Sequence, residues 1–284
     1  KIIFKMKKIL IHSLTFPPDT ISTGMIVSEI ADGLNKELNN IEVLASSPQY
    51  NLKSAQEYNQ NDKNISVGMF KGIKVHYIES NPRQFSNSSR FFQWLGFNFK
   101  AIRFIYKNRK DYKEILIFSY SPTMNLVCIF TTKILKINTI YSLWELYPEI
   151  AEKLDKQPNK ILKSLFKILD NYSLKNVSKV VVNSEELKKY LIEKRRINKN
   201  KIHTINHFSP FPKSNFEPNL KLESIFYAGN TGRPQNISSF INFFNEQFPQ
   251  NWNFELYGSG QEFESLSKFS KENININDYL PRED

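Results

Sequence analysis

A chain of 284 residues, 40% apolar and 14% aromatic, is long enough to bury a sizeable core and to divide into two domains. Its net charge of +11 asks for an acidic partner, whether nucleic acid, an anionic membrane face or a phosphorylated small molecule, although a Lys-, Asn- and Ile-rich composition accounts for part of the excess. No run approaches the roughly 20 apolar residues of a membrane span and no signal-peptide pattern opens the chain; the lone Cys128 excludes an intrachain disulfide and fits a reducing cytoplasm, and His12, His76, His203 and His207 lack ligand spacing, so no metal is expected.

In chain order, Met6 reads as a natural start, followed by a buried strand over Lys8–Ser13. A breaker-rich loop from Phe16 to Gly24 comes next, then a helix with Val27, Ile30, Ala31, Leu34 and Leu38 at three- and four-residue spacing, and a strand over Ile41–Ala45. Strand, loop, helix, strand predicts a parallel α/β sheet, with the Ser22-Thr23-Gly24 loop on its carboxyl, ligand-binding edge. Residues 49–71 are polar and irregular, a loop or short hairpin leading to a strand over Ile73–Ile78.

Arg90 to Lys113 interleaves rings with cations, Trp94, Phe104, Lys100, Arg103 and Lys107 among them. Two readings stand. Such a helix can lie in a membrane interface, its rings at headgroup level and its cations on anionic lipid; or it packs a broad apolar side on the sheet and leaves its charges in water. No nucleic-acid signature accompanies the charge, so nucleic acid is set aside.

Strands follow over Glu114–Ser119 and Thr139–Leu143, with a helix from Ser121-Pro122 to about Leu135 between them. The second strand delivers Trp144-Glu145-Leu146-Tyr147-Pro148-Glu149 to the carboxyl edge, where Glu145 is a candidate acid, base or hydroxyl-positioning group and Glu149 favours a helix start. Lys160–Tyr172 reads as an amphipathic helix, Lys179–Asn183 as a strand, and Ser184 as the cap of a helix to about Lys194. After a short strand at Ile202–Ile205, Phe208-Ser209-Pro210-Phe211-Pro212 makes a linker.

A second strand-helix-strand series begins at Ser224. Its first turn, Gly229-Asn230-Thr231-Gly232-Arg233, suits an anion: glycines admit backbone N–H groups, a helix N-terminus follows, and Arg233 offers a planar fork. An ordinary strand-to-helix turn with a solvated Arg233 is the other reading. The segment matches neither Gly-x-x-x-x-Gly-Lys-Ser/Thr nor Gly-x-Gly-x-x-Gly.

Taken together, Phe16-Pro17-Pro18-Asp19 with Thr23-Gly24, Glu145-Leu146-Tyr147-Pro148-Glu149, Asn183-Ser184-Glu185, Lys201-Ile202, Tyr227-Ala228-Gly229-Asn230 with Gly232-Arg233, and Gly258-Ser259-Gly260 resemble glycosyltransferase family 4 in wording and order. The resemblance implies an α/β, GT-B-like fold: two Rossmann-like domains facing a cleft, an acceptor-side domain at 1–208, a linker at 209–221, and at 222–284 the first part of a nucleotide-sugar-binding domain. It implies a retaining transferase that moves a sugar from a nucleotide-sugar donor to a lipid-linked saccharide acceptor in cell-surface polysaccharide synthesis. Thr23, Gly24, Gly229, Asn230, Gly232 and Arg233 would hold the donor diphosphate, Gly258 and Tyr279 would lie by the base, and no metal or other cofactor is implied. A cytoplasmic location follows, peripheral on the inner face of the plasma membrane if the basic aromatic helix meets lipid.

Three departures accompany it. Trp144-Glu145 stands where many relatives carry a histidine, Asn206-His207 replaces a Pro-Asn pair, and the family continues for roughly 100 residues past the position of Asp284. A second expectation therefore accompanies the first: a non-catalytic or split-enzyme subunit, bound to membrane or to a second polypeptide that completes the donor domain. A sugar-nucleotide epimerase of the same fold ranks third.

Overall fold

The computed structural model of the protein describes residues 7–19, 21–49, 65–80, 87–119, 121, 123–149, 160–208, 223–232 and 235–278. The chain divides into two compact units, Lys1–Pro212 and Lys213–Asp284. The expected linker at 209–221 lies outside the described residues.

In unit 1 the elements run β1 (Lys8–His12), α1 (Ser22–Leu38), β2 (Ile41–Ser46), β3 (Ile65–Phe70), β4 (Ile73–Ile78), α2 (Asn87–Lys107), β5 (Tyr112–Phe118), α3 (Met124–Ile129), β6 (Asn138–Leu143), α4 (Lys160–Asn176), β7 (Lys179–Val182), α5 (Glu185–Glu193) and β8 (Ile202–Thr204). The strands form one sheet in the order β3-β4-β2-β1-β5-β6-β7-β8, parallel throughout except for β3. Strands covered on both faces must be apolar on both, and successive residues point to opposite sides. Accordingly Ile9 and Ile11 pack with Val27, Ala31, Val43 and Val75 under α1, whereas Leu10 joins Leu44, Ile115, Phe97 and Val127 under α2 and α3.

The irregular stretch before β4 ends in a hairpin. Lys71 and Gly72 have φ of 45° and 80°, the paired positive values of a type I′ turn, whose twist matches the strands it joins. Ser184 caps α5 as expected, its hydroxyl accepting from the Leu187 N–H at 3.1 Å. Near the amino edge of the sheet Glu42 gathers Lys8, His76 at 3.2 Å and the Tyr112 hydroxyl at 2.7 Å. Burial opposes the charge on Glu42, but the hydrogen bonds from His76, Lys8 and Tyr112 outweigh it and hold the carboxyl down to about 2.

Unit 2 contains β9 (Ser224–Asn230), α6 (Ile237–Gln247), β10 (Asn253–Ser259), α7 (Phe263–Leu266) and β11 (Ile274–Asn277), with a parallel sheet in the order β11-β10-β9. Ile241 and Phe244 of α6 meet Phe254 and Leu256 in its core, and Phe244, Phe248 and Trp252 form a run of rings 5.1–5.2 Å apart. Among the described residues no helix is long and apolar enough to cross a membrane.

Candidate functional site

The carboxyl ends of the unit 1 strands carry a connected set of polar contacts. The Asp19 carboxylate accepts from the Gln49 N–H at 2.9 Å, and the Gln49 amide donates to Ser46 at 2.9 Å and Ser80 at 3.2 Å. The Tyr77 hydroxyl donates to the Pro17 carbonyl at 2.5 Å. These bonds fix the loop after β1 against its neighbours. Gly24 is buried in the first turn of α1, and a Cβ there would lie 3.3 Å from the Asp19 carbonyl oxygen and 3.5 Å from the Phe16 nitrogen. Its missing side chain is what lets loop and helix close together. Thr23, half-buried, stands beside it. No side chain caps α1 and no acid lies in its first turn, so its leading N–H groups and partial positive charge face the carboxyl edge.

The segment after β6 is pinned to β5. The Ser119 hydroxyl accepts from the N–H groups of Trp144, at 2.7 Å, and Glu145, at 3.2 Å. The Tyr147 hydroxyl then donates to the Glu145 carboxylate at 2.9 Å, which orients this partly buried acid. Trp144 meets Phe118 edge-on at 5.1 Å and His207 edge-on at 5.0 Å, and His207 Nε2 pairs with the Asn183 amide at 3.2 Å. Ends of β5, β6, β7 and β8 therefore converge around Trp144. His207 was missed as a site residue. Two signals pointed to it: the histidine absent at 144 and the unexpected histidine after β8 fall on strands that flank β7.

Glu149 is helical, as the expected helix start requires, and its carboxylate has further partners. Its carboxylate takes a two-point grip on Arg195, with Oε1 3.0 Å from Nε and Oε2 2.7 Å from Nη2, and accepts from the Tyr190 hydroxyl at 2.8 Å. Arg195 is buried and also donates to the Tyr147 carbonyl at 2.7 Å, so it clamps the segment that carries Glu145. Burial works against the Glu149 charge, yet these bonds keep its carboxyl below the ordinary range. Beside them Asp170 is pushed up to about 7 by burial, with Arg195 and Asn125 pulling the other way.

In unit 2 the ends of β9 and β10 press together. A Cβ on Gly258 would lie 2.0 Å from the Gly229 carbonyl oxygen, and one on Gly260 would lie 2.5 Å from the Asn230 side-chain oxygen. Strand packing thus accounts for Gly258. Gly229 and Asn230 are exposed, Gly232 is buried, and the Thr231 N–H donates to Ser259 at 3.0 Å. Asn236 precedes α6 with φ 49°, but its side chain accepts from the Ser239 hydroxyl at 2.8 Å and leaves the helix N–H groups uncapped. Arg233 and Tyr279 lie outside the described residues.

Part of the membrane expectation is corrected. Phe104 is buried against His76, 4.7 Å between rings, and Trp94 is half-buried on the same core, because the apolar side of α2 covers the sheet. Lys100 donates to the Glu79 carbonyl at 2.9 Å, while Arg103 and Lys107 are exposed. A shallow polar hollow of about 370 Å³, lined by Thr132, Lys136, Asn138 and Asn176, opens at the opposite, amino-terminal edge of the sheet. Among the described residues no three His, Cys, Asp or Glu side chains gather as metal ligands.

The family model described as Glycosyltransferase Family 4 matches residues 24–208, well over half of the chain. The chain belongs to glycosyltransferase family 4. No curated protein matches its sequence. Among solved structures, the family 4 chain is similar to sucrose-phosphate synthase from Thermosynechococcus elongatus (TM-score 0.66, 14% identity, covering 98% of this chain and 72% of that one). It is also similar to the catalytic domain of starch synthase IV from Arabidopsis thaliana bound to ADP and acarbose (0.62, 11%, 97% and 75%). HepE from Anabaena, in complex with UDP and glucose, is a third (0.55, 13%, 97% and 70%). At these identities the likenesses show the fold, which is that of the GT-B glycosyltransferases. Family membership makes the coarse activity of this glycosyltransferase the transfer of a glycosyl group.

Proposed function

We propose that this family 4 glycosyltransferase moves a hexosyl group from a nucleoside-diphosphate sugar to a lipid-linked saccharide, with retention of configuration, in cell-surface polysaccharide synthesis. It would work peripherally at the anionic inner face of the plasma membrane. The observation that carries the reading is the pair of uncapped helix N-termini, α1 and α6, each following the carboxyl end of a parallel strand. Each such terminus suits a phosphate group, because unpaired N–H groups and the helix dipole both favour an anion there. The ADP and the UDP with glucose held by the starch synthase and HepE structures are ligands of that chemistry.

In the reaction the bond from the sugar C1 to the diphosphate oxygen breaks and a bond from C1 to the acceptor oxygen forms. The acceptor proton passes to the departing diphosphate. The N–H groups at Thr23 and Gly24, with those at Gly229, Asn230 and Gly232 and the fork of Arg233, would stabilise charge as it grows on that diphosphate. Glu145, oriented by Tyr147, would accept a hydrogen bond from the acceptor hydroxyl.

The test is calorimetric titration with UDP, ADP and GDP followed by transfer assays on lipid-linked saccharides. Arg233→Ala should weaken nucleotide binding by about tenfold or more. Glu145→Gln should lower turnover by about 100-fold with nucleotide affinity unchanged. Unaltered affinity in the first variant would remove Arg233 from the site, and unaltered turnover in the second would remove Glu145.

A further inference from the structure

Helix α4 is apolar on two opposite sides. Asp170, Ser173 and Leu174 lie on its buried side, where it packs on α3. On the other side Ile161, Leu165, Ile168 and Tyr172 are 78%, 48%, 64% and 44% exposed. At 3.6 residues per turn these four fall within an arc of about 60°, so they form one stripe along the helix. An ordinary surface helix shows water a polar face, and a continuous exposed apolar stripe marks a surface meant for a partner.

The charges beside the stripe identify that partner. Lys160, Lys167 and Lys175 are exposed on α4, and the acid in the same helix, Asp170, is buried beside Arg195. Lys133 lies 5.7 Å from the centre of the Tyr172 ring. Phe91 of α2 contacts Phe166 of α4 at 6.2 Å, which brings α2 alongside with its exposed Phe92 and Phe99 and its exposed Arg103 and Lys107. Apolar side chains flanked by cations, with acids absent from the exposed positions of α4, match an anionic lipid surface: the chains enter at headgroup level and the lysines reach the phosphates. A second copy docking here about a two-fold axis would set these lysines against themselves.

We infer that the exposed stripe of α4, Ile161, Leu165, Ile168 and Tyr172 with its flanking lysines, is the surface that seats this protein on an anionic bilayer. The inference rests on the peripheral-membrane part of the proposed function and moves the contact from the core-facing rings of α2 to α4.

The test is sedimentation of the full chain with vesicles of phosphatidylcholine alone and of phosphatidylcholine mixed with phosphatidylglycerol, at low and high salt. Binding to the mixed vesicles that falls with salt is expected. The double variant Ile161→Ser, Ile168→Ser changes two well-exposed side chains and should weaken that binding by about tenfold or more. Lys167→Gln with Lys175→Gln, which leaves the stripe intact, should weaken it and flatten the salt dependence. Circular dichroism and UDP titration check that the fold and the nucleotide site persist. Wild-type binding equalled by the serine variant would overturn the α4 assignment and leave the membrane reading standing. Wild-type protein that ignores both vesicle types would overturn both. A dimer in sedimentation velocity that the serine variant dissolves, without vesicle binding, would make a second copy the occupant and overturn the inference.

Discussion

His12 sits at the end of β1, fully buried, stacked on Phe97 at 5.4 Å, with Nδ1 3.2 Å from the Leu44 carbonyl and Nε2 3.4 Å from the Asn98 side-chain oxygen. Burial lowers its pKa to about 4 against the backbone and Asn98 bonds that raise it, so the folded protein holds it neutral. The unfolded chain binds the proton more readily, and the His12 contribution, present above pH 6.5, is lost as pH falls toward 4. On order of magnitude this is about 3 kcal/mol. Asp170 acts in the opposite sense. Its folded pKa of about 7 lies above the ordinary 3.8, so acidification through that window favours the folded state. Urea denaturation between pH 7 and 4.5 separates the two: Asp170→Asn should steepen the acid loss of stability, and His12→Gln should reverse its sign.

Arg195 belongs to the same scale. Removing it by Arg195→Ala strands Glu149 and Asp170 without their cation, and the expected loss is about 3–5 kcal/mol. Arg195→Lys cannot reproduce the two-point grip on Glu149 or the bond to the Tyr147 carbonyl. If the clamp positions Glu145, this milder variant should lower turnover more than it raises the donor KM.

At the scale of elements, the turn joining β9 to α6 is set by close passage of backbones. Gly258→Ala would place a methyl group 2.0 Å from the Gly229 carbonyl oxygen, so the ends of β9 and β10 must part. The expected result is about 1–3 kcal/mol of destabilisation with weakened UDP binding, read by thermal unfolding and titration. The helices teach a different lesson. Three- and four-residue apolar spacing in the sequence announced α1, an amphipathic pattern announced α4, and the Ser184 cap placed the start of α5. Period alone does not say which apolar side meets the sheet. In α2 the rings named for a membrane, Trp94 and Phe104, turned inward; in α4, read only as amphipathic, Ile161, Leu165 and Ile168 turned outward. Both helices carry apolar residues around more than one face, and the choice between faces rests on which neighbours cover them.

For the whole molecule, two separate cores imply two responses to damage. Leu256 is fully buried in the core of unit 2, and Leu256→Ala should remove about 2–5 kcal/mol there. Calorimetry should show a transition from unit 2 moving to lower temperature while that of unit 1 stays in place. A single transition that shifts as one would mean that the units unfold together.

What the sequence determined by itself was whatever short-range chemistry decides: strand-loop-helix order, the glycine turn at Gly229, the cap at Ser184, and a motif order that resembles family 4. Tertiary structure alone decided the strand order β3-β4-β2-β1-β5-β6-β7-β8, the meeting of His207 with Trp144, the capture of Glu149 by Arg195, and the outward stripe of α4. Each of these pairs residues far apart in the chain. Local propensity carries no information about such pairs; they follow from which apolar surfaces must cover one another and which buried charges must be matched, and those conditions apply only once the sheet has assembled.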